Sequence, residues 1–297
     1  MIIDRLEKQG AIHPPPWMAS NTCYLTIMGS VAYGVSSDTS DMDLYGFCVP
    51  PKDMVFPHLT GEILDFGRHK KRFAQWQEHH IDDPSNPKKQ YDFQVFSIVK
   101  YFALCMDNNP NMIDSLFTPR ECVLHSTQIA ETVRENRKSF LHKGAWHRFK
   151  GYAYSQLHKM NSKDPKGKRA QLREQFGYDV KFAYHVVRLL DECEQILVHG
   201  DIDLQRNKEQ MKAIRRGEVT EDDVRKWAAE KETQLEQLYV DSKLPEYPDE
   251  AKIKAILEQC LERHYGSLEG CVFNPDRAVD ALKEIAQVLE RNRELLY

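Results

Sequence analysis

The sequence predicts an α+β fold in which a small sheet with flanking helices is followed by an all-helical domain. Short apolar runs that end at Gly or Pro are typical of strands, and all such runs fall before residue 125. Helix-period patterns dominate after that point, and strand patterns are weak there. A chain of 297 residues is long enough for two domains. We therefore expect one domain over residues 1–125 and a helical domain over residues 126–297.

The element boundaries follow from the apolar spacing and from the breakers between the runs. Strands are expected at residues 23–28, 42–49 and 91–96, with a further short strand at 121–125. In the same half, helices or helical turns are expected at 2–9, 52–59, 97–107 and 111–118. Residues 74–90 are polar, with scattered Pro and His, and predict a long loop. In the second half, helices are expected at 126–139, 143–161, 169–199, 205–215, 220–238, 249–265 and 276–295.

Composition excludes several classes of protein. The net charge of −4 gives no global argument for nucleic-acid binding, although basic clusters occur at 68–72, 163–173 and 206–216. The seven cysteines show no CxxC spacing, which favours reduced thiols. No apolar run is long enough to cross a bilayer, and the charged first ten residues are not typical of a signal peptide. We therefore expect a cytoplasmic protein with no membrane partner; the oligomeric state does not follow from the sequence.

The chemistry-bearing stretch runs from residue 25 to residue 49. An apolar run ends at Gly29, and Ser30 follows it in a turn where the backbone could approach another group closely. Asp41 and Asp43 lie two residues apart, so on a strand both carboxylates emerge on one face. Neighbouring carboxylates repel each other unless a cation or a proton lies between them. Oxygen ligands of this kind suit Mg²⁺ bound together with substrate phosphates.

A third carboxylate is expected from Asp92, which lies between two aromatic residues on the proposed third strand. A site with two metal ions about 3.5–4 Å apart needs an acid opposite the first pair. An acid at the edge of a strand is the structural alternative. In the presence of Asp41 and Asp43 we favour the catalytic role, in which Asp92 deprotonates or orients an acceptor hydroxyl.

A basic row is expected on one helix in the second half. Lys181, His185 and Arg188 are spaced by four and three residues, which places them on one helix face beside an apolar stripe. Such a row can bind a triphosphate, although a solvated basic face is the commoner outcome. Gln156, in the segment 151–156 with two tyrosines, could hydrogen-bond a base or a ribose; core packing explains those tyrosines equally well.

The pair His79-His80, preceded by Glu78, is interpreted as part of the loop. Adjacent histidines do not share a helix face, and no third metal ligand is evident. Fingerprints of zinc sites, of Ser-His-Asp triads and of dinucleotide binding are absent from the sequence.

The motifs resemble those of a known superfamily. Gly29-Ser30, then Asp41-x-Asp43, then a strand acid at Asp92 is similar to the DNA polymerase beta-type nucleotidyltransferase pattern. More narrowly, residues 29–51 and 91–117 resemble the RlaP-type family of predicted nucleotidyltransferases linked to RNA repair, which is related to the YcgL group. In that family an acid follows an Asn-Pro-Asn run, and the acid is commonly Glu where this chain has Asp114. The resemblance is strong over residues 20–120 and moderate over 142–205.

The resemblance implies a minimal mixed sheet, with an NTP bound between the sheet and the helical domain. Ser30 would contact the β- and γ-phosphates, Asp41 and Asp43 would hold both metals, and Asp92 would complete the second metal site. The implied cofactor is Mg²⁺ or Mn²⁺, and the implied partners are an NTP and an RNA acceptor. Together with the candidates above, the expected nucleotide-binding residues are Gly29, Ser30, Tyr33, Gln156, Lys181, His185 and Arg188.

Three functions remain open at this point. The first is an Mg²⁺-dependent nucleotidyltransferase, with a two-metal mechanism, that acts on a tRNA-like RNA end. The second keeps this chemistry but uses a protein or a small molecule as the acceptor, as in an AMP-transferring antitoxin. The third is a nucleotide-sensing or RNA-binding module without turnover.

Overall fold

A computed structural model describes residues 1–36, 41–68, 72–162, 168–272 and 275–292. The basic clusters at 68–72 and 163–173, and the segment that joins the Gly29 turn to Asp41, lie partly outside these residues. A five-stranded sheet has the order β3-β4-β2-β1-β5. Its strands are β1 Thr22–Ile27, β2 Met42–Cys48, β3 Gln75–Asp83, β4 Asn86–Ser97 and β5 Val123–Ser126.

The sheet is mixed. β2 and β4 are parallel, whereas β1 is antiparallel to both β2 and β5, and β3 is antiparallel to β4. Helix α5 (Ile98–Met106) packs against both parallel strands, which agrees with their apolar character. The α+β fold class with a small mixed sheet is thus confirmed.

Helices make up most of the remaining described chain. In order they are α1 Ile2–Lys8, α2 Met18–Asn21, α3 Gly29–Ala32, α4 Lys52–Val55, α5 Ile98–Met106, α6 Pro110–Phe117, α7 Gln128–Glu135, α8 Ala145–Ser162, α9 Lys168–Phe176, α10 Val180–His199, α11 Lys208–Arg215, α12 Glu221–Asp241, α13 Glu250–Tyr265 and α14 Pro275–Arg291. Short 3₁₀ turns occur at Pro57–Thr60, Arg120–Cys122 and Arg137–Phe140. α10 is the central helix of the second half and packs against α8, α11 and α12.

The long loop predicted at 74–90 is wrong, because these residues form the β3–β4 hairpin. Asp83 pairs with Asn86, so Pro84 and Ser85 alone form the turn. β3 is an edge strand whose side chains are mostly exposed, and Trp76 and Asp83 are its only buried residues. An edge strand of this kind lacks the apolar alternation on which sequence-based strand prediction depends.

The single helix predicted at 169–199 is also wrong, since α9 and α10 are separate helices. Gly177 adopts a φ of +83°, which ends α9. Asp179 then caps α10, and its side chain accepts hydrogen bonds from the backbone N–H groups of Lys181 and Phe182. The other predicted strands and helices form close to their expected positions.

One buried contact fixes the hairpin to the start of the chain. Both terminal nitrogens of Arg5 on α1 donate to the carboxylate of Asp83, at 2.8 and 2.9 Å. The hydroxyl of Tyr91 on β4 donates to the same carboxylate at 2.9 Å.

The seven cysteines are buried free thiols. Within the described ranges, no helix is long and apolar enough to cross a membrane.

Candidate active site

Two of the predicted acids lie side by side in the middle of the sheet. Asp43 on β2 is the direct register partner of Asp92 on the parallel strand β4. Neighbouring strands lie about 4.8 Å apart, and paired residues project to the same face. The side chain of Asp92 is 24% exposed, and Asp43 is half-buried. Two carboxylates therefore share one partly desolvated face.

Gly29 closes this face on the β1 side. The backbone N–H of Met28 donates to the carbonyl of Asp43 at 2.7 Å, which extends the β1–β2 pairing up to the turn. Gly29 has a φ of +65°, and a β-carbon at this position would lie 2.2 Å from Oδ2 of Asp43. Only a residue without a side chain allows the carboxylate to approach the turn in this way.

The surroundings of Asp43 concentrate negative charge. Desolvation raises the pKa of Asp43; among the nearby charges, Lys181 lowers it and Asp92 and Asp41 raise it. Asp41 is exposed and lies one residue before β2. The structure therefore brings Asp41, Asp43 and Asp92 into one electrostatic neighbourhood, with Lys181 as a cation close to it.

Two histidines lie beside Asp92, although the sequence predicts that they belong to a loop. The backbone N–H of His80 donates to Oδ1 of Asp92 at 2.6 Å. The Nδ1 atoms of His79 and His80 lie 3.7 and 3.8 Å from the same oxygen. A register shift between Glu78 and Ile81 makes this approach possible. No local sequence signal marks such a bulge in a polar edge strand.

The predicted basic row on α10 lies partly at the surface and partly in the interior. Lys181 at the start of the helix is exposed, and His185 is half-buried with its ring 4.2 Å from that of Tyr184. Arg188 is 3% exposed, so its side chain belongs to the interior. The triphosphate role predicted for Arg188 is therefore corrected, because the guanidinium is buried and bound to other buried groups.

Arg188 joins a buried polar cluster. It donates to the carboxylate of Asp114 on α6 and to the hydroxyl of Tyr33, which follows α3. Tyr33 in turn donates to Asp114 at 2.9 Å, and Glu192 lies 3.6 Å from Arg188. Tyr33 is buried, so its predicted nucleotide contact is corrected in the same way. This cluster connects the helical half to the Gly29 turn.

Gln156 on α8 is also buried, at 5% exposure, which leaves it little surface for the predicted base contact. An aromatic hydroxyl lies beside the acids: Tyr45 is two residues along β2 from Asp43, on the same face, and the pKa of its hydroxyl is influenced by Asp43 and by Tyr152 of α8. Burial, assisted by the charge of Asp43, raises the pKa of Tyr45 well above its usual value. Ser30 lies in α3 and is half-buried.

Comparison with known proteins identifies the family. The family model of RlaP, the RNA repair pathway DNA polymerase beta family, matches residues 3–259. The chain belongs to the RlaP family. This family is the DNA polymerase beta family of an RNA repair pathway, which agrees with the acids at the centre of the sheet.

Two individual proteins are similar to this RlaP-family chain. An uncharacterised 38.9 kDa protein from the nrdC-mobD intergenic region of Enterobacteria phage T4 is 28% identical over 121 residues, which is 40% of this chain. The match spans about a third (33%) of the phage protein. The crystal structure of a nucleotidyltransferase-like protein from Exiguobacterium sibiricum aligns over 98% of this chain and 89% of its own, with 8% identity and a TM-score of 0.29.

Mg²⁺ is the cofactor that the sequence predicts, and two of the predicted acids fit this ion in their chemistry. Among the described side chains, no group of three or more His, Cys, Asp and Glu residues is arranged to hold a metal ion. Mg²⁺, however, is commonly bound by one or two carboxylates and completed by substrate phosphates and water. Asp43 and Asp92 supply two such carboxylates in register, and a cation would relieve their mutual repulsion.

Proposed function

We propose that the protein transfers a nucleoside monophosphate from an NTP to a hydroxyl at a tRNA-like RNA end, with Mg²⁺ as the cofactor. The observation that carries this proposal is the register pairing of Asp43 with Asp92, next to the Gly29 turn. An acceptor oxygen forms a bond to the α-phosphorus, and the bond from that phosphorus to pyrophosphate breaks. Mg²⁺, when bound, neutralises the triphosphate and orients it for this displacement.

Three acids would act in that step. Asp41, Asp43 and Asp92 would hold Mg²⁺, in one or two positions. Asp92 would also orient the acceptor hydroxyl and take its proton, because it lies on the side of the pair that is farther from the Gly29 turn.

The triphosphate would lie between the turn and the helical half. Ser30 and the backbone of the Gly29 turn would contact its terminal phosphates. Lys181 is exposed and close enough to Asp43 to lower that residue's pKa, so it can place a positive charge against the same phosphates. His185, half-buried one turn further along α10, would be a second contact for these phosphates.

Transfer of a radioactive label tests the proposal. The purified protein is incubated with α-labelled NTPs, Mg²⁺ and total cellular RNA, and the products are separated into RNA, protein and small molecules. Label in RNA supports the proposal. Label confined to protein or to small molecules overturns the RNA acceptor and favours the alternative that the net charge of −4 suggests. A cellular function that survives the Asp43→Asn substitution would instead indicate a binding module without turnover.

A further inference from the structure

We propose that the His79-His80 bulge of β3 forms the acceptor side of the active site. In this proposal the His80 backbone N–H positions Asp92, and the two imidazoles contact a single-stranded RNA end. The inference rests on the proposed function for the identity of the acceptor. Four features of the structure support it: an extra residue in β3, a left-handed backbone conformation at His80, a short hydrogen bond to Asp92 and the order of the strands.

The bulge is a specific distortion of a regular hairpin. Glu78 pairs with Phe93 and Ile81 pairs with Tyr91, so three steps along β3 face two steps along β4. The extra residue lies opposite Asp92. His80 has a φ of +56°, a conformation that is uncommon and unfavourable for residues other than Gly. A regular ladder would avoid this cost, which indicates that the bulge has another use.

The distortion directs a donor to a carboxylate of the active site. The His80 N–H lies 2.6 Å from Oδ1 of Asp92. The Nδ1 atoms of His79 and His80 approach that same oxygen, at 3.7 and 3.8 Å. All these contacts fall on Oδ1, so the bulge holds Asp92 by one oxygen and leaves Oδ2 for the acceptor hydroxyl. A carboxylate fixed in this way is pre-organised for its task.

The order of the strands assigns the bulge to the acceptor. The order β3-β4-β2-β1 places the histidines, Asp92, Asp43 and the Gly29 turn in one row across the sheet. In the proposed function the nucleotide binds at the end of this row that carries the Gly29 turn and Asp43. The bulge lies at the opposite end. The side chains of His79 and His80 are 42% and 77% exposed, so an acceptor in solution can reach them.

The chemistry of imidazole suits an RNA end. An imidazole ring donates and accepts hydrogen bonds with ribose hydroxyls and phosphate oxygens, and it stacks on an unpaired base. Two adjacent rings beside a fixed carboxylate could therefore hold the terminal nucleotide with its hydroxyl against Asp92.

RNA binding by an imidazole-free variant provides the first test. The double variant His79→Gln/His80→Asn keeps the backbone N–H, and Asn tolerates a positive φ. The probes are a fluorescent single-stranded RNA oligonucleotide and, separately, a fluorescent NTP analogue with Mg²⁺. We expect about tenfold weaker RNA binding, because the variant loses base stacking on the imidazoles, and unchanged nucleotide binding. His147→Gln, which removes an exposed histidine on α8, should change neither.

Three outcomes of this test are decisive. Unchanged RNA binding by the double variant overturns the inference, and so does an absence of RNA binding by the wild-type protein. If the wild type binds RNA through the histidines but transfers no label, the proposed transferase function fails while the acceptor surface stands. Failure of the inference and failure of the function are thus distinguishable.

Deletion of His80 tests the positioning role. The deletion removes the extra residue and keeps Ile81 opposite Tyr91, so β3 can pair regularly with β4. We expect an unchanged or higher melting temperature, unchanged KM for the NTP and at least a tenfold lower kcat, because Asp92 loses its donor. An unchanged kcat in a folded variant would overturn the positioning role, as would a rise in the KM for the NTP in place of a fall in kcat.

Discussion

Gly29 and Asp43 are in direct contact: a β-carbon on residue 29 would lie 2.2 Å from Oδ2 of Asp43. The contact joins the turn after β1 to the acid on β2. It therefore couples the two elements that are expected to hold the triphosphate and the metal. Two separate features require Gly at position 29: the positive φ of its backbone and the closeness of the Asp43 carboxylate.

A comparison of Gly29→Ala with Gly10→Ala distinguishes the effect of backbone strain from the effect of displacing the Asp43 carboxylate. Gly10 also has a positive φ, of +70°, but a β-carbon there meets nothing within 4 Å. Both variants carry a backbone strain of about 1–2 kcal/mol, and Gly29→Ala in addition displaces the Asp43 carboxylate. We expect a similar loss of free energy of unfolding in both and loss of label transfer only in Gly29→Ala. Equal activity of the two variants would contradict the assignment of this turn.

The paired acids predict a specific effect of Asp43→Asn. The amide removes one of two like charges in register, so the free protein should be as stable as the wild type or more stable. Mg²⁺ with a non-hydrolysable NTP analogue should raise the melting temperature of the wild type but not of the variant. Label transfer should fall by several orders of magnitude. Asp222→Asn, at an exposed acid on α12, is the control that should behave as wild type; a retained thermal shift in Asp43→Asn would remove this residue from the metal site.

The acids and the turn could be predicted from sequence because their signals are local. Asp43 and Asp92 lie in apolar strands with clear boundaries, and a site with two metal ions needs an acid opposite the first pair. The His79-His80 bulge could not be predicted in the same way, because an exposed edge strand carries no apolar alternation. Its position opposite Asp92 depends on a register shift, which is a property of two paired strands.

Helix periodicity placed Lys181, His185 and Arg188 on one face but could not say what that face contacts. In the structure the row passes from solvent at Lys181 into the interior at Arg188. The partner that draws Arg188 inward is Asp114, which lies 74 positions away in the sequence. Tertiary pairing over such a separation leaves no local pattern, so the sequence predicts a nucleotide contact for Arg188 and not its buried ion pair.

This difference between Lys181 and Arg188 predicts opposite phenotypes. Lys181→Met removes an exposed charge near Asp43, and we expect about a tenfold higher KM for the NTP with little change in stability. Arg188→Met leaves Asp114 buried without its cation and should lower the free energy of unfolding by about 3–5 kcal/mol. Arg148→Met, at an exposed ion pair with Asp107, is the matched control and should cost no more than about 1 kcal/mol.

Urea denaturation of the Arg188 and Arg148 variants measures these costs, and steady-state kinetics with the NTP measures the effect of Lys181→Met. A destabilised Lys181→Met variant, or a fully stable Arg188→Met variant, would contradict the division of the row into an exposed and a buried part.

The buried cluster also predicts how stability depends on pH. Desolvation raises the pKa of Glu192 well above its usual value near 4.5; Arg188 opposes the shift and Asp114 adds to it. Both carboxylate oxygens of Glu192 are buried and lack a hydrogen-bond partner among the described residues. The folded protein therefore keeps a proton on Glu192 at pH values at which the unfolded chain has released it. This contribution to stability is fully present below about pH 4.5 and is lost as the pH rises through the raised pKa.

Glu192→Gln removes this dependence, because an amide resembles the protonated acid and cannot release a proton. The free energy of unfolding of Glu192→Gln, measured in urea between about pH 5 and 8, should therefore exceed that of the wild type by an amount that grows with pH, by at most about 1.4 kcal/mol per pH unit. Glu230→Gln, at an exposed site on α12, should give a curve parallel to that of the wild type. A Glu192→Gln curve that also runs parallel to the wild type would mean that Glu192 is ionised in the folded protein, with Arg188 shared between two carboxylates.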